Sequence, residues 1–294
     1  MCGIAGIIYR NGNGGRPLGA DMTRMLQSMK HRGPDSTGYA LYGPASDLVL
    51  VRFTLADAND PRDFDFTERL ERHRAEVEGR MRELGAQIMN IEFDTEYAFR
   101  AALRYDGDLK RLADYLEDVP GCEVLSLGKS LEIVKDLGDA ESVADQYGLG
   151  KFEGTHAIGH VRMATESDVD ISGAHPYWAY PFADVAVVHN GQLTNYFQWR
   201  RRLERSGHRF QSECDSEIIA VYLAEKMADI GAESAAGGLR SEGTAAEDAI
   251  RALVSLGYST ADAEKGVRAA LDSGGRGVSA PELIRLALGK VAQR

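Results

Sequence analysis

A cysteine stands one residue from the start of this chain, in Met1-Cys2-Gly3-Ile4-Ala5-Gly6, directly ahead of a short apolar run that reads as a strand. That placement constrains the chain more than any other feature. Removal of Met1 would leave Cys2 with a free α-amine beside its own sulfur. An α-amine titrates near ~8, so it can serve as the base that turns a thiol into a thiolate. This is the logic of an amino-terminal nucleophile. The plain alternative is a buried strand cysteine, and Cys2-Gly3 alone would favour it. The remainder of the sequence reverses the balance.

The chain has 294 residues, enough for a substantial core and two domains. A net charge of -11 argues against a broad nucleic-acid or membrane-binding surface, and direct nucleic-acid binding is not expected. The one dense basic cluster, Arg200-Arg201-Arg202 with Arg205, reads as a solvated helix face. Cys2, Cys122 and Cys214 are odd in number and far apart, which offers neither a disulfide framework nor a CxxC metal site. No metal or cofactor is expected. The run from Ile4 to Tyr9 is too short for a signal peptide or a membrane span, and the expected setting is cytoplasmic.

Strands are expected at Cys2 to Tyr9, Gly38 to Tyr42 and Leu48 to Leu55, with a helix over Asp21 to Lys30. Residues 56–150 read as an inserted α+β subdomain. It would hold a charged helix from Thr67 to Leu84, a strand from Gln87 to Phe93, helices at Thr95 to Arg104 and Leu109 to Leu116, and a hairpin turning at Gly128-Lys129. Strand texture returns at Thr155 to Arg162 and Asp184 to His189, each leading straight into polar residues, and such strand ends commonly carry sites. Helices follow at Asn195 to Ser206 and Ser216 to Met227. Residues 231–243, rich in Gly, Ala, Ser and Glu, read as a linker. Over 244–294 three capping patterns, Thr244-x-x-Glu247, Ser259-x-x-Asp262 and Ser279-x-x-Glu282, open three short amphipathic helices, which would form a small bundle.

Amide hydrolysis through a thiol needs a nucleophile, a base, oxyanion donors and a clamp for the amino-acid end of the substrate. Cys2 and its α-amine supply the first two. The Asn190 side-chain amide and the Gly191 backbone N–H offer two donors at a turn. Arg162 offers a bidentate fork for a carboxylate. Asp215, ahead of a helix, can pair with an ammonium, or can simply be an N-cap.

The combination resembles the class-II glutamine amidotransferases. It rests on Met1-Cys2-Gly3-Ile4-Ala5-Gly6, His31-Arg32-Gly33-Pro34-Asp35-Ser36-Thr37-Gly38, Gly159-His160-Val161-Arg162-Met163-Ala164-Thr165, Ala174-His175-Pro176, Val188-His189-Asn190-Gly191 and Cys214-Asp215-Ser216-Glu217. The resemblance covers about residues 2–227, within a domain expected over 2–230. It implies an α+β, αββα amino-terminal-nucleophile (Ntn) fold in which Cys2 attacks the amide carbon of L-glutamine and forms a glutamyl thioester. By the same resemblance Arg162 and Asp215 hold the glutamine carboxylate and amine, Asn190 and Gly191 the oxyanion, and Thr165 lines the pocket. Met163 stands where several relatives carry tryptophan. The insertion is similar to that of stand-alone amidotransferase subunits related to glutamate synthase, such as the one in N-methylglutamate synthase, which implies a separate flavin-containing synthase partner for the ammonia.

Past residue 227 the strands that complete the family's second sheet are missing, so that sheet is expected to be incomplete. Residues 245–291 instead resemble the C-terminal helical domain of RuvA, notably in Ala249-Ile250-Arg251-Ala252-Leu253-Val254 and Glu282-Leu283-Ile284-Arg285, which implies a protein-docking module. Two readings follow: a glutaminase component with a docking tail, or a non-catalytic interaction protein or chimera that keeps the motif residues.

Overall fold

A computed structural model of the protein describes residues 2–10, 16–55, 66–163, 171–237, 246, 249–250 and 260–274. The fold is α+β. Its first sheet uses β1 (Gly3–Ile8), β2 (Ser36–Tyr42), β7 (Leu131–Leu137) and β8 (His156–Arg162), antiparallel in the order β1-β8-β2-β7. A second antiparallel sheet has the order β4-β5-β3-β6, from β3 (Val49–Thr54), β4 (Gln87–Phe93), β5 (Ala98–Arg104) and β6 (Glu123–Gly128). A ribbon of two strands, β9 (Tyr177–Trp178) and β10 (Ala186–Val187), is separate from both.

Each large sheet is covered by helices on one face. Helix α1 (Leu18–Gln27) buries Leu18, Met22 and Leu26, and α4 (Ala140–Gln146) buries Ala140 and Val143, in one core with Tyr39, Leu41 and Val161 of the first sheet. On the second sheet α2 (Phe66–Glu83) and α3 (Leu109–Glu117) bring Leu70, Val77, Met81, Leu112 and Leu116 against Val51, Phe53, Ala101 and Leu103. Ala40, Leu131 and Ile133 of the first sheet join that second core. Local chemistry starts two of these helices. The Asp108 carboxylate accepts from the backbone N–H of Lys110 and Arg111, and Asp139 from that of Ser142, satisfying orphan donors of the first turn.

Several expectations change. The segment expected as a helix from Thr95 to Arg104 is instead strand β5. Its Ala- and Leu-rich sequence favours a helix, but β5 is paired on both sides, with β3 and β4, and Phe99, Ala101 and Leu103 alternate into the core. The expected hairpin splits: β6 pairs with β3 and β7 with β2, so the two strands diverge into different sheets. Strand β3 likewise pairs with β5 and β6, although it precedes residue 56. Helix α4 is an element that no sequence pattern above announces. Helix α5 (Tyr196–Arg205) lies where a helix is expected.

Helix α6 (Glu217–Gly237) runs well past Met227, into the stretch expected as a linker. Its Ala220 and Ala224 pack with Tyr177 and Ala179 of the small ribbon. The chain divides into two compact units, Met1–Lys226 and Met227–Arg294. In the second, α7 (Thr260–Gly274) matches the middle tail helix and buries Ala263, Val267 and Ala270 along one face. Most of the first expected tail helix and all of the third lie outside the described residues.

Candidate active site

Backbone register assembles the site. Gly3 lies opposite Val161 and Ser36 opposite Arg162, so the start of β1, the end of β8 and the start of β2 share one edge of the first sheet. Extending the antiparallel register by one residue sets Cys2 opposite Arg162, and directly opposed residues project to the same face. The Cys2 sulfur accepts a hydrogen bond from the Met163 backbone N–H at 3.4 Å and lies 3.8 Å from the Met163 carbonyl oxygen. Whatever side chain occupies position 163, its main chain therefore holds the thiol.

From the other direction, the Asn190 side-chain amide donates to the Cys2 carbonyl oxygen at 3.1 Å. Cys2 and the Asn190-Gly191 turn, far apart in sequence, meet here. Asp215 is tied to the same turn, because its Oδ2 accepts from the Leu193 backbone N–H. Its Oδ1 accepts from the Ser216 hydroxyl at 3.2 Å, and that hydroxyl lies 2.9 Å from His189 Nδ1. Arg162 is buried at the end of β8, and its carbonyl oxygen accepts from the Asp35 N–H at 3.1 Å. The structure thus brings Cys2, Asn190, Gly191 and Asp215 into one hydrogen-bonded neighbourhood, with Arg162 adjoining. Thr165 lies outside the described residues.

Beneath this edge is a buried aromatic floor. The His160 and His175 rings pack at 4.3 Å, and Tyr177 meets His175 edge-on at 4.8 Å. The segment carrying His175 crosses β2 at Gly38, where a Cβ would come within 1.9 Å of the His175 carbonyl oxygen, so only glycine fits. Burial, and then the charges of Arg162 and His189, push the His160 imidazole down to about 4. Burial lowers His175 well below the ordinary histidine range as well. Both rings are therefore neutral near pH 7, and the floor carries no charge of its own.

Ser216, His189 and Leu193 have no role that the sequence assigns. The first two lie inside the motifs quoted above, so a signal is present in the residue types. What ties them together is contact between residues 189–193 and 215–216, which no spacing rule reveals.

The glutamine amidotransferase domain family matches residues 141–237, and the family described as RuvA, C-terminal domain, matches residues 244–291. A putative glutamine amidotransferase of Methanothermobacter thermautotrophicus is 39% identical over 234 residues, covering 78% of this chain and 73% of the relative. The glutamine amidotransferase-like protein GlxB of Rhizobium meliloti is 33% identical over 228 residues, covering 78% and 71%. A shorter match, 40% identical over 101 residues, covers 34% of this chain and 17% of the isomerizing glutamine–fructose-6-phosphate aminotransferase of Methanothermobacter thermautotrophicus. With two relatives similar over most of their length, and the motif residues gathered at one strand edge, the chain belongs to the glutamine amidotransferase family.

Proposed function

We propose that this protein is the glutaminase component of a class-II amidotransferase, with Cys2 as the amino-terminal nucleophile. In this reading Met1 is removed and the freed α-amine takes the thiol proton. The sulfur attacks the amide carbon of L-glutamine, and a C–S bond forms. The C–N bond then breaks, its nitrogen takes up a proton, and ammonia leaves. Water hydrolyses the thioester to glutamate and restores the thiol. Asn190 and Gly191 stabilise the oxyanion, Arg162 holds the α-carboxylate, Asp215 holds the α-ammonium, and Thr165 lines the pocket. The observation that carries the reading is the meeting at Cys2 of the Met163 N–H, the Asn190 amide and, through the turn, Asp215.

The ammonia acceptor lies on another chain, a flavin-containing synthase, as the kinship to glutamate synthase-like proteins implies. The domain boundaries we propose are 2–230 for the amidotransferase, with 56–150 inserted, and 244–294 for the tail. That tail, through its match to the RuvA C-terminal domain, serves as a docking module for a protein partner. Among the described residues no helix is long and apolar enough to cross a membrane. The three cysteines are free, which supports the reducing, cytoplasmic setting proposed. Glutamate release from L-glutamine by purified protein of verified intact mass tests the function. Cys2-independent release, or equal turnover in protein that retains Met1, would sink the amino-terminal nucleophile.

A further inference from the structure

Two separate contacts join the proposed oxyanion turn to the residues just ahead of α6. The Leu193 N–H donates to Asp215 Oδ2. The Ser216 hydroxyl bridges Asp215 Oδ1, at 3.2 Å, and His189 Nδ1, at 2.9 Å. The His189 ring in turn backs directly onto Gly191, where an added Cβ would lie 2.8 Å from His189 Nε2. A hydroxyl has a single proton. With Ser216 giving it to the carboxylate, the Ser216 oxygen is left to accept from His189 Nδ1–H. Ser216 is 2% exposed, which keeps solvent from competing for these bonds. Both oxygens of Asp215 therefore already pull on the turn before any substrate arrives.

Resting on the proposed glutaminase reading, we infer that His189 and Ser216 are positioning residues that couple the ammonium clamp to the oxyanion turn. Asp215 then does two things. It receives the α-ammonium, and through Leu193 and through Ser216–His189 it holds Asn190 and Gly191 in place. A substrate without an α-amine loses its partner at Asp215 but leaves the bracing of the free protein in place, so its loss falls on binding. Arg162, proposed to hold the α-carboxylate, acts on binding.

The test combines hydrogen exchange and kinetics on the full chain. In Asp215→Ala and Ser216→Ala the Leu193 amide should exchange about tenfold faster than in the wild type, as befits the loss or loosening of one hydrogen bond. Ser216→Thr, which keeps the hydroxyl, should exchange like the wild type and guards against misfolding of the alanine variant. With L-glutamine, Ser216→Ala should lower kcat by roughly ten- to a hundredfold with KM little changed, and Ser216→Thr should recover it. Arg162→Ala should raise KM alone, whereas Asp215→Ala should raise KM and lower kcat. Glutaramate, which lacks the α-amine, should show a raised KM with the wild type, and its kcat should fall in Ser216→Ala by about the same factor as that of L-glutamine. Unchanged Leu193 exchange in both alanine variants overturns the linkage, as does a normal kcat in Ser216→Ala while hydrolysis remains Cys2-dependent. Exchange that responds as expected in a protein with no Cys2-dependent hydrolysis defeats the glutaminase reading and leaves the linkage standing.

Discussion

Between the two large sheets, Arg52, Arg100, Glu132 and Asp94 form a buried network. Glu132 accepts from Arg52 Nε at 2.8 Å and from Arg100 Nε at 2.7 Å and Nη2 at 3.0 Å, while Arg52 also reaches Asp94. Burial alone would raise the Glu132 carboxyl, but the two guanidinium groups outweigh it and hold the carboxyl below its ordinary range. At the edge of the first sheet the arrangement is different. Cys2 is held by main-chain groups, the histidine floor is neutral, and a turn carrying two oxyanion-donor candidates is fastened from behind by Asp215 and Ser216. In the first region every charge is answered by another charge inside the protein. In the second, hydrogen bonds from main-chain and side-chain groups converge on Cys2 and on the Asn190-Gly191 turn. Ion pairs thus brace the first region, and hydrogen bonds between separate segments brace the second.

Substitutions that break one region should leave the other's property intact. Cys2→Ala should abolish glutamine turnover, and labelling by a glutamine-like electrophile, without lowering the thermal midpoint. Loss of the midpoint along with activity would mean that the sheet edge is structural. Glu132→Ala leaves two guanidinium groups facing a buried void and should cost about 3–5 kcal/mol of stability. Chemical denaturation measures this, and kcat per folded molecule should not change. Asn190→Ala should do the reverse, lowering kcat by about 10²–10³ at unchanged stability, if it acts as a single oxyanion donor does.

A smaller effect is expected from acid. The His160 imidazole is held at about 4 in the folded protein against 6.5 for a free histidine. Between those values the unfolded chain binds a proton that the folded one refuses. This contribution is therefore complete above pH 6.5 and fades as pH falls toward 4, by at most about 3 kcal/mol. His160→Gln should flatten that slope in the pH dependence of the midpoint. An unchanged slope would show that the floor does not titrate. Smallest of all, ending the chain after Gly237, the last residue of α6, should leave turnover unchanged, since the two compact units divide at Lys226 and Met227. A parallel fall in activity and midpoint would show that the tail supports the catalytic unit.

Much of the site was legible in residue types. Cys2, Arg162, Asn190, Gly191 and Asp215 each stand at the end of an apolar run or ahead of a helix, where side chains are delivered to a common edge. The second sheet was harder to read. Residues 98–104 hold Ala, Leu and Arg, good helix formers, yet β5 is a strand because β3 and β4 flank it on both sides. Periodicity over so short a run does not separate the two states. The parting of β6 and β7 was invisible for a related reason. Their turn sequence is that of a hairpin, but each strand finds its partner across the chain, in β3 and β2.

By itself the sequence determined the α+β class, the family, the candidate nucleophile and the capping patterns of the tail, because these depend on local residue order and on motif spacing. The tertiary structure alone decided that Met163 holds the thiol through its main chain, that His160 packs against His175, and that Ser216 and His189 link Asp215 to the Asn190-Gly191 turn. Those are contacts set by the meeting of separate segments. Backbone register and burial fix them, and neither is written in any local pattern.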